Sequence, residues 1–499
     1  MNIKRQSAWS MLPLLISAAV GFFSLPLFLR YLGNDMYALW GYVATFSGMF
    51  GFADLGLGVA IGRYIAVALG KNDAAAVRGY WGTGNLLVIP FLALVSLAFI
   101  GLGVWLGPKW FNILPGDAGL LRWCFVWGGC GLFFGYYGTY WMVLSQAHLD
   151  FQFISVVRVA MNLLQILPAL LLAYFTKNPV LLMLWGTLIA LLQLGVFAWH
   201  ANRKYGLALN LREARFVWAR EMASYVGKNF MVLLAGSFFG QIDRAMLGRY
   251  ALPVNFNPYN ISCNVASRLQ SLSLSVMGPV TFNTARVIGG GREASAKIYN
   301  ETFAFVFEWY LLATIWIGLW HPVLLRLWLT HTMGMKLGQE TAVLMGPLLT
   351  PIIIACCLSA MANISTAQLA SFNRLGVTVI SCTAAGLLVI AGVWVGWHIA
   401  GVVGVAYGFL FSRIALVAQD LYVIRLIRAG GWLDRRTWLK VVTQGLVGAV
   451  FALSYFAVQR DAYWLLIPAL LHGGLVAAWL VRRPLRKFLG ATAFGNRFS

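Results

Sequence analysis

The sequence predicts an all-α polytopic membrane protein, with about fourteen transmembrane helices in two pseudo-symmetric six-helix lobes and a C-terminal helix pair. Three observations predict it: apolar runs long enough to cross a bilayer, basic residues gathered on one side, and an internal repeat whose copies face the same way.

Of the 499 residues, 60% are hydrophobic and only 10% are charged. A soluble domain carries charge on about a quarter of its residues, so that class is excluded. Crossing a hydrocarbon core of roughly 30 Å takes about twenty apolar residues, and a helix satisfies its own backbone hydrogen bonds there. Apolar runs between polar breaks place spans near 9–30, 38–68, 81–106, 119–145, 153–175 and 180–201. A second set falls near 222–250, 255–283, 298–320, 341–367, 376–397 and 401–427, and a last pair near 439–458 and 462–481. Lys4 and Arg5 precede an apolar stretch to Leu29 with no small-residue cleavage site, so the N-terminus reads as the first span and not as a signal peptide. Many of the 21 Trp and 19 Tyr fall near span ends, as Trp110, Tyr174 and Trp320 do, where their rings suit the two interfaces.

If the N-terminus is cytoplasmic, the inner loops collect Lys71, Arg78, Arg203, Lys204, Arg212, Arg215, Arg220, Arg292, Lys297, Arg374, Arg425, Arg428, Arg435 and Arg436, and the tail adds Arg482, Arg483, Arg486 and Lys487. The outer loops hold Lys109, Lys177, Arg326, Lys336 and Arg460, with Arg30, Arg122 and Arg249 at their edges. This asymmetry predicts both termini inside a cytoplasmic (inner) membrane and accounts for the net charge of +22. Scattered over short loops, that charge does not suggest a nucleic-acid partner. The stretch 207–221 interleaves Leu, Phe and Trp with Arg and reads as an amphipathic cytoplasmic linker. The expected organisation is therefore an N-lobe over 1–206, the linker over 207–221, a C-lobe over 222–430, and the last pair with a basic tail over 431–499.

At the constant offset that sets Arg30 on Arg249, Leu14 meets Leu233, Gly21 meets Gly240, Gly70 meets Gly289, Arg78 meets Lys297 and Tyr80 meets Tyr299. The hairpins 69–80 and 288–299 read as one element repeated. Copies separated by an even number of spans face the same way, and parallel repeats build two lobes around a substrate path. Transport by alternating access is the expectation. The six Cys lie in apolar runs without metal or disulfide spacing, and the six His are dispersed, so no metal and no cofactor are expected.

Charge at membrane depth costs about 2.5 kcal/mol or more per group and points to a wet cavity or a partner. The intramembrane candidates are Asp54, Arg63, Arg158, Asp243, Arg244, Arg268, Glu308, Arg413 and Asp420. On the eighth span, Asn260, Asn264, Arg268, Ser271 and Ser275 follow helical steps and stack on one face. Ser237, Gln241 and Arg244 form a shorter stripe on the seventh, and Arg158, Asn162 and Gln165 another on the fifth. Stripes bearing Arg suit an anionic ligand such as a phosphate. Plainer readings stand beside these. Arg63 and Arg158 can snorkel, the Asn and Ser positions can join helices by hydrogen bonds, and Arg413 and Asp420, on one helix face, can share a structural network. Gly51, Gly56, Gly58 and Gly62 around Asp54 permit close packing and a bend in the second span.

The run Arg30–Trp40, then Phe52–Gly58, Arg63 and Gly70–Asp73, resembles the opening of Wzx-type polysaccharide flippases of the multidrug/oligosaccharidyl-lipid/polysaccharide (MOP) exporter superfamily. Gln241–Arg244 and Met277–Pro279 are similar to that family's second lobe, although Arg244 and Arg268 are not themselves assigned to a motif of the family, and the end of the eighth span lacks the usual acidic residue after Pro279. The resemblance implies a V of two six-helix lobes and movement of an undecaprenyl-diphosphate-linked oligosaccharide (an O-antigen, capsule or exopolysaccharide unit) between leaflets. Arg30, Arg63, Arg244 and Arg268, with Asn264 and Gln241, are expected to contact the head group, and Asp54 and Asp243 to gate or couple. The expected partners are the lipid-linked oligosaccharide, the bilayer, and the polymerase and glycosyltransferases of the same pathway. A lipid II flippase and a cation-coupled multidrug antiporter are the sibling alternatives. A membrane glycosyltransferase or ligase is the alternative of another class; it fits less well, because the largest outer loop, around His321–Gln339, has no paired carboxylates. No enzymatic activity is expected.

Overall fold

The computed structural model describes residues 3–54, 57–209, 211, 213–287, 292–372, 374–427 and 470–476. Its described residues are helical, with short 3-10 turns and connections and no strand. Among the described residues, eight helices are long and apolar enough to cross a membrane. The chain is thus a multi-pass helical membrane protein, as its composition requires. The last expected pair lies outside the described residues except at 470–476, which are helical.

Contacts divide the chain into one unit of residues 1–260 with 382–395, and a second of 261–381 with 396–499. The first unit begins with α1 (Ile3–Met49), which holds the first expected span and the start of the second, joined at Gly33. With φ at +76°, that residue takes a backbone conformation that only glycine adopts without strain. The second span then breaks. A 3-10 turn at Phe50–Asp54, which contains Gly51, separates α1 from α2 (Leu57–Gly70). Next comes α3 (Ala74–Trp110), whose first turn is capped by Asp73 accepting from the Ala76 N–H at 2.9 Å. It is followed by α4 (Ala118–Ala147), α5 (Phe151–Thr176) and α6 (Pro179–Tyr205). Asn178 accepts from Val180 N–H, and Pro179 occupies the first position of α6, where no backbone donor is needed.

Asp150, in the turn between α4 and α5, accepts from Lys204 Nζ at 2.5 Å, His200 Nε2 at 3.1 Å and Tyr205 Oη at 3.1 Å, tying that turn to the end of α6. Burial pushes its carboxyl up, but the hydrogen bonds from Lys204 and His200 outweigh it and hold the group below the usual carboxylate range. The described part of the linker lies against the start of α3 in an irregular conformation. Trp81 Nε1 donates to Ala208 O, Arg78 pairs with Glu213 at 3.1 Å, and Thr83 Oγ1 accepts from Arg215 N–H. α7 (Phe216–Phe239) and α8 (Ile242–Tyr250) make up the seventh expected span, interrupted at Gly240 and Gln241. α9 (Pro253–Val287) follows after Ala251 and Leu252. Leu252 is the residue that the repeat offset sets opposite Gly33, so the same hairpin recurs in both halves of the chain.

The second unit contains α10 (Arg292–Met333) and α11 (Met335–Ser371), joined at Gly334 with φ at +89°. This corrects one expectation. The outer loop around His321–Gln339 is helix on both sides of a one-residue break, and within it the hydroxyls of Thr330 and Thr332 are satisfied by carbonyls one turn back. Trp320 is buried at 1% exposure, its indole donating to His472 Nδ1, so its ring faces protein and not an interface. Trp110 and Tyr174 are exposed, at 42% and 57%, near helix ends as expected. α12 (Leu375–Ser412) contains a hairpin at Ala400 and Gly401, and α13 (Ile414–Ile427) completes the twelfth expected span. The hairpin's arms touch backbone to backbone: a Cβ on Gly404 would lie 2.0 Å from Gly396 O. Tyr299, Phe303, Val306 and Tyr310 of α10 recur at helical spacing and pack with Ile364, Leu369, Val423 and Ile427 into the core of this unit.

Candidate functional site

The second half of α1 presents Gly41 and Gly48, and Gly51 follows in the 3-10 turn. Separations of seven and three keep the three on one helical face. Each lies against a polar side chain from α7 or α9 or from the break between α7 and α8. A Cβ at Gly41 would fall 2.9 Å from Asn260 Nδ2 and 3.0 Å from the Phe256 ring. At Gly48 it would fall 2.8 Å from Gln241 Cδ, and at Gly51, 2.8 Å from Ser237 Oγ. Only glycine leaves room for these approaches, as small residues do wherever membrane helices meet closely.

Hydrogen bonds continue this seam towards the Gly33 hairpin. Asn257, fully buried, donates its amide to Asn34 O at 2.9 Å and Asn34 Oδ1 at 3.2 Å. Asp243, 1% exposed, accepts from Tyr259 Oη at 2.7 Å. Tyr42 stacks on Phe111 at 4.4 Å and meets Phe256 at 4.6 Å, bordering the polar groups with aromatic rings. The Asn112 N–H donates to Gly248 O at 2.9 Å, tying the loop after α3 to α8.

The structure brings Gln241 and Asp243 into this seam. Arg244 is half-buried beside them, and neither its Nε nor Gln241 Oε1, both buried, has a hydrogen-bond partner among the described residues. Arg30 is exposed next to the Gly33 hairpin. The backbone at Asp54 lies in the 3-10 turn and that of Arg63 in α2, while the side chains of both lie outside the described residues. Asn264 and Arg268 belong to the second unit, Asn264 half-buried and Arg268 exposed. On α5, Asn162 donates to Ser17 of α1 at 3.2 Å, a helix-to-helix bond, and Arg158 is exposed.

The sequence reading missed Gly41, Gly48, Asn257 and Tyr259. The glycines sit in an apolar run where Gly carries no positional signal, although their common face was available in the spacing. Asn257 and Tyr259 lay just outside the stripe drawn through Asn260. In the second unit, Asp420 is 3% exposed and accepts from Ser365 Oγ at 2.5 Å. Ser365 Oγ lies 3.0 Å from Tyr299 Oη. Arg413 lies over the Phe409 ring at 4.1 Å, and no ion pair joins it to Asp420 among the described residues.

A seam of this kind has a chemical use. Each of its hydrogen bonds is worth about 0.5–1.5 kcal/mol net, because water can replace either partner when the helices part. An apolar seam has no such replacement. The arrangement therefore suits helices that separate into a hydrated state.

The protein-family model described as "Polysaccharide biosynthesis protein" matches residues 3–282. A search of curated proteins finds no match. Among solved structures, the chain is similar to the lipid II flippase MurJ in an inward closed conformation, at 13% identity and a TM-score of 0.72, covering 97% of this chain and 99% of that one. It is similar to an inward-facing multidrug resistance MATE family transporter of the MOP superfamily at 14% identity and 0.64, covering 84% and 98%. A MOP superfamily transporter from Pyrococcus furiosus matches at 14% and 0.58, covering 85% and 97%. At these identities the likeness is one of fold, and the fold is that of MOP transporters.

Proposed function

This chain belongs to the polysaccharide biosynthesis protein family, and from that premise we propose that it is a flippase for an undecaprenyl-diphosphate-linked oligosaccharide, an O-antigen, capsule or exopolysaccharide unit. It works by alternating access across the cytoplasmic membrane, with fourteen spans and both termini inside. The observation that carries the reading is the polar seam on the glycine face of α1, within a fold shared with MOP transporters. A sugar head group keeps its hydration only along a wet, polar path, since desolvating a hydroxyl without a new partner costs about 1–3 kcal/mol in proteins.

In this reading Arg30, Arg63, Arg244 and Arg268 hold the diphosphate, because a guanidinium stays charged and bonds two oxygens at once. Asn264 and Gln241 hydrogen-bond the glycan. Asp54 and Asp243 belong to the gate, and Tyr259 holds the Asp243 carboxyl in place. The polymerase and glycosyltransferases of the same pathway are its proposed partners. Lipid II is the second reading, favoured by the near-complete overlap with MurJ.

The test is reconstitution in liposomes carrying a fluorescent polyprenyl-diphosphate oligosaccharide on one leaflet. The protein exposes that lipid to an enzyme added on the other side, and Arg268→Ala abolishes the exposure. Flipping of lipid II alone selects the second reading, and full activity in Arg268→Ala removes that residue from the site.

A further inference from the structure

Asp420 sits where an ionised carboxylate is least comfortable. It lies in α13, two turns before the buried end at Ile427, against the cluster of Tyr299, Phe303, Ile364, Leu369 and Val423. A carboxylate at such a place is ordinarily matched by a cation. Among the described residues no Arg, Lys or His nitrogen lies within ion-pair distance of it. The groups facing it are neutral: Ser365 from α11, and behind Ser365 the Tyr299 hydroxyl from α10. On its own helix, Gln419 turns its amide to Ala362 O and Thr366 Oγ1, both at 3.1 Å, and Tyr422 accepts from Arg374 at 2.8 Å. The charged residues nearest in sequence are Arg413, over Phe409, and Arg425 in the last turn. Gln419 Oε1, buried, has no hydrogen-bond partner among the described residues, so this interface has acceptor capacity to spare.

We propose that Asp420 is a proton-binding site of the second unit. The carboxylate takes a proton from hydronium, whose O–H bond breaks to leave water as a new O–H bond forms at the carboxyl, and the neutral acid packs between α10, α11 and α13. When α11 and α13 part and water reaches the group, the same O–H bond breaks and the proton returns to water. The protonated acid matches its neutral, hydroxyl-lined surroundings and the carboxylate matches a hydrated one, so proton occupancy and helix packing are linked. Use of this linkage to drive transport rests on the flippase reading; the binding itself does not.

The test is an infrared titration of the purified protein in lipid between about pH 5 and about pH 10, which brackets the range in which a buried carboxyl titrates. The expected result is a C=O band of a protonated carboxylic acid at neutral pH that is lost on the alkaline side and is absent from Asp420→Asn throughout. Identical spectra of wild type and Asp420→Asn overturn the proposal, because the group is then ionised at every pH. A band that persists unchanged to about pH 10 also overturns it, since such an acid never releases its proton. If Asp420→Asn does not fold, Ser365→Ala serves instead. Removing the hydroxyl that donates to Oδ1 shifts the band and its titration midpoint, and an unchanged band and midpoint refute the assignment.

Discussion

Gly48→Ala probes the seam with one methyl group. The added carbon lies 2.8 Å from Gln241 Cδ and 2.9 Å from its Cγ and Nε2. Carbon contacts settle at about 3.5 Å, so the methyl overlaps one side chain at three atoms by roughly 0.6–0.7 Å. Gln241 must leave its rotamer, or α1 and α8 must separate. Overpacking of this kind costs about 1–3 kcal/mol. If the cost falls on the closed seam alone, the population of that state drops about 5- to 150-fold against an opened one. The assay is thermal unfolding in detergent of wild type, Gly48→Ala, Gln241→Ala and the double variant. Gly48→Ala lowers the midpoint, and Gln241→Ala, by emptying the space, restores most of the loss, giving a coupling of about 1 kcal/mol or more. Gly101→Ala is the control, because a Cβ there meets nothing within 4 Å; it leaves the midpoint unchanged or raises it. A Gly48→Ala protein that melts like wild type, or a double variant no better than the single, refutes the close approach.

Two further outcomes follow from the polar groups. Tyr259→Phe removes the hydroxyl that donates to Asp243 in a buried setting and destabilises the protein by about 1–3 kcal/mol in the same melting assay, whereas adding Asp243→Asn costs little more. Asp150 is held below its ordinary range when folded, so its contribution is present above the unfolded value of about 4 and is lost as pH falls through the lower folded one. Melting midpoints of Asp150→Asn accordingly start lower than wild type at neutral pH and fall less on acidification below about pH 4.

Much of the helical order was legible in the sequence because apolar runs of span length have no other stable form in a bilayer. The first twelve expected spans correspond to helices or helix pairs between Ile3 and Ile427. The break in the second span was visible in the glycines around Asp54. The interruption at Gly240 and Gln241 was not, since a single Gly–Gln step reads as ordinary helix. The outer loop at His321–Gln339 was misread because its Thr and His residues suggest a polar connection, while in a helix their side chains bond the preceding turn. Trp320 went with it: a ring assigned to an interface by its distance from a supposed helix end is buried once the helix runs on to Met333. Within the site, Gln241 and Asp243 stood out because polarity inside an apolar run is costly. Gly41 and Gly48 did not, because a glycine's role there depends on which side chain another helix brings to it, and a single sequence does not contain that pairing.

The central claim, that the α1 seam opens for the head group to pass, is tested most directly by locking it. In the Gly48→Cys, Gln241→Cys double variant a Cβ at 48 lies 2.9 Å from the position of Gln241 Cγ, one bond from the Cβ at 241, within reach of the about 3.5–4.5 Å between Cβ atoms that a disulfide needs. Flipping of the lipid-linked oligosaccharide in liposomes stops when that disulfide is formed and returns when it is reduced. Unimpeded flipping by the fully oxidised protein contradicts the account.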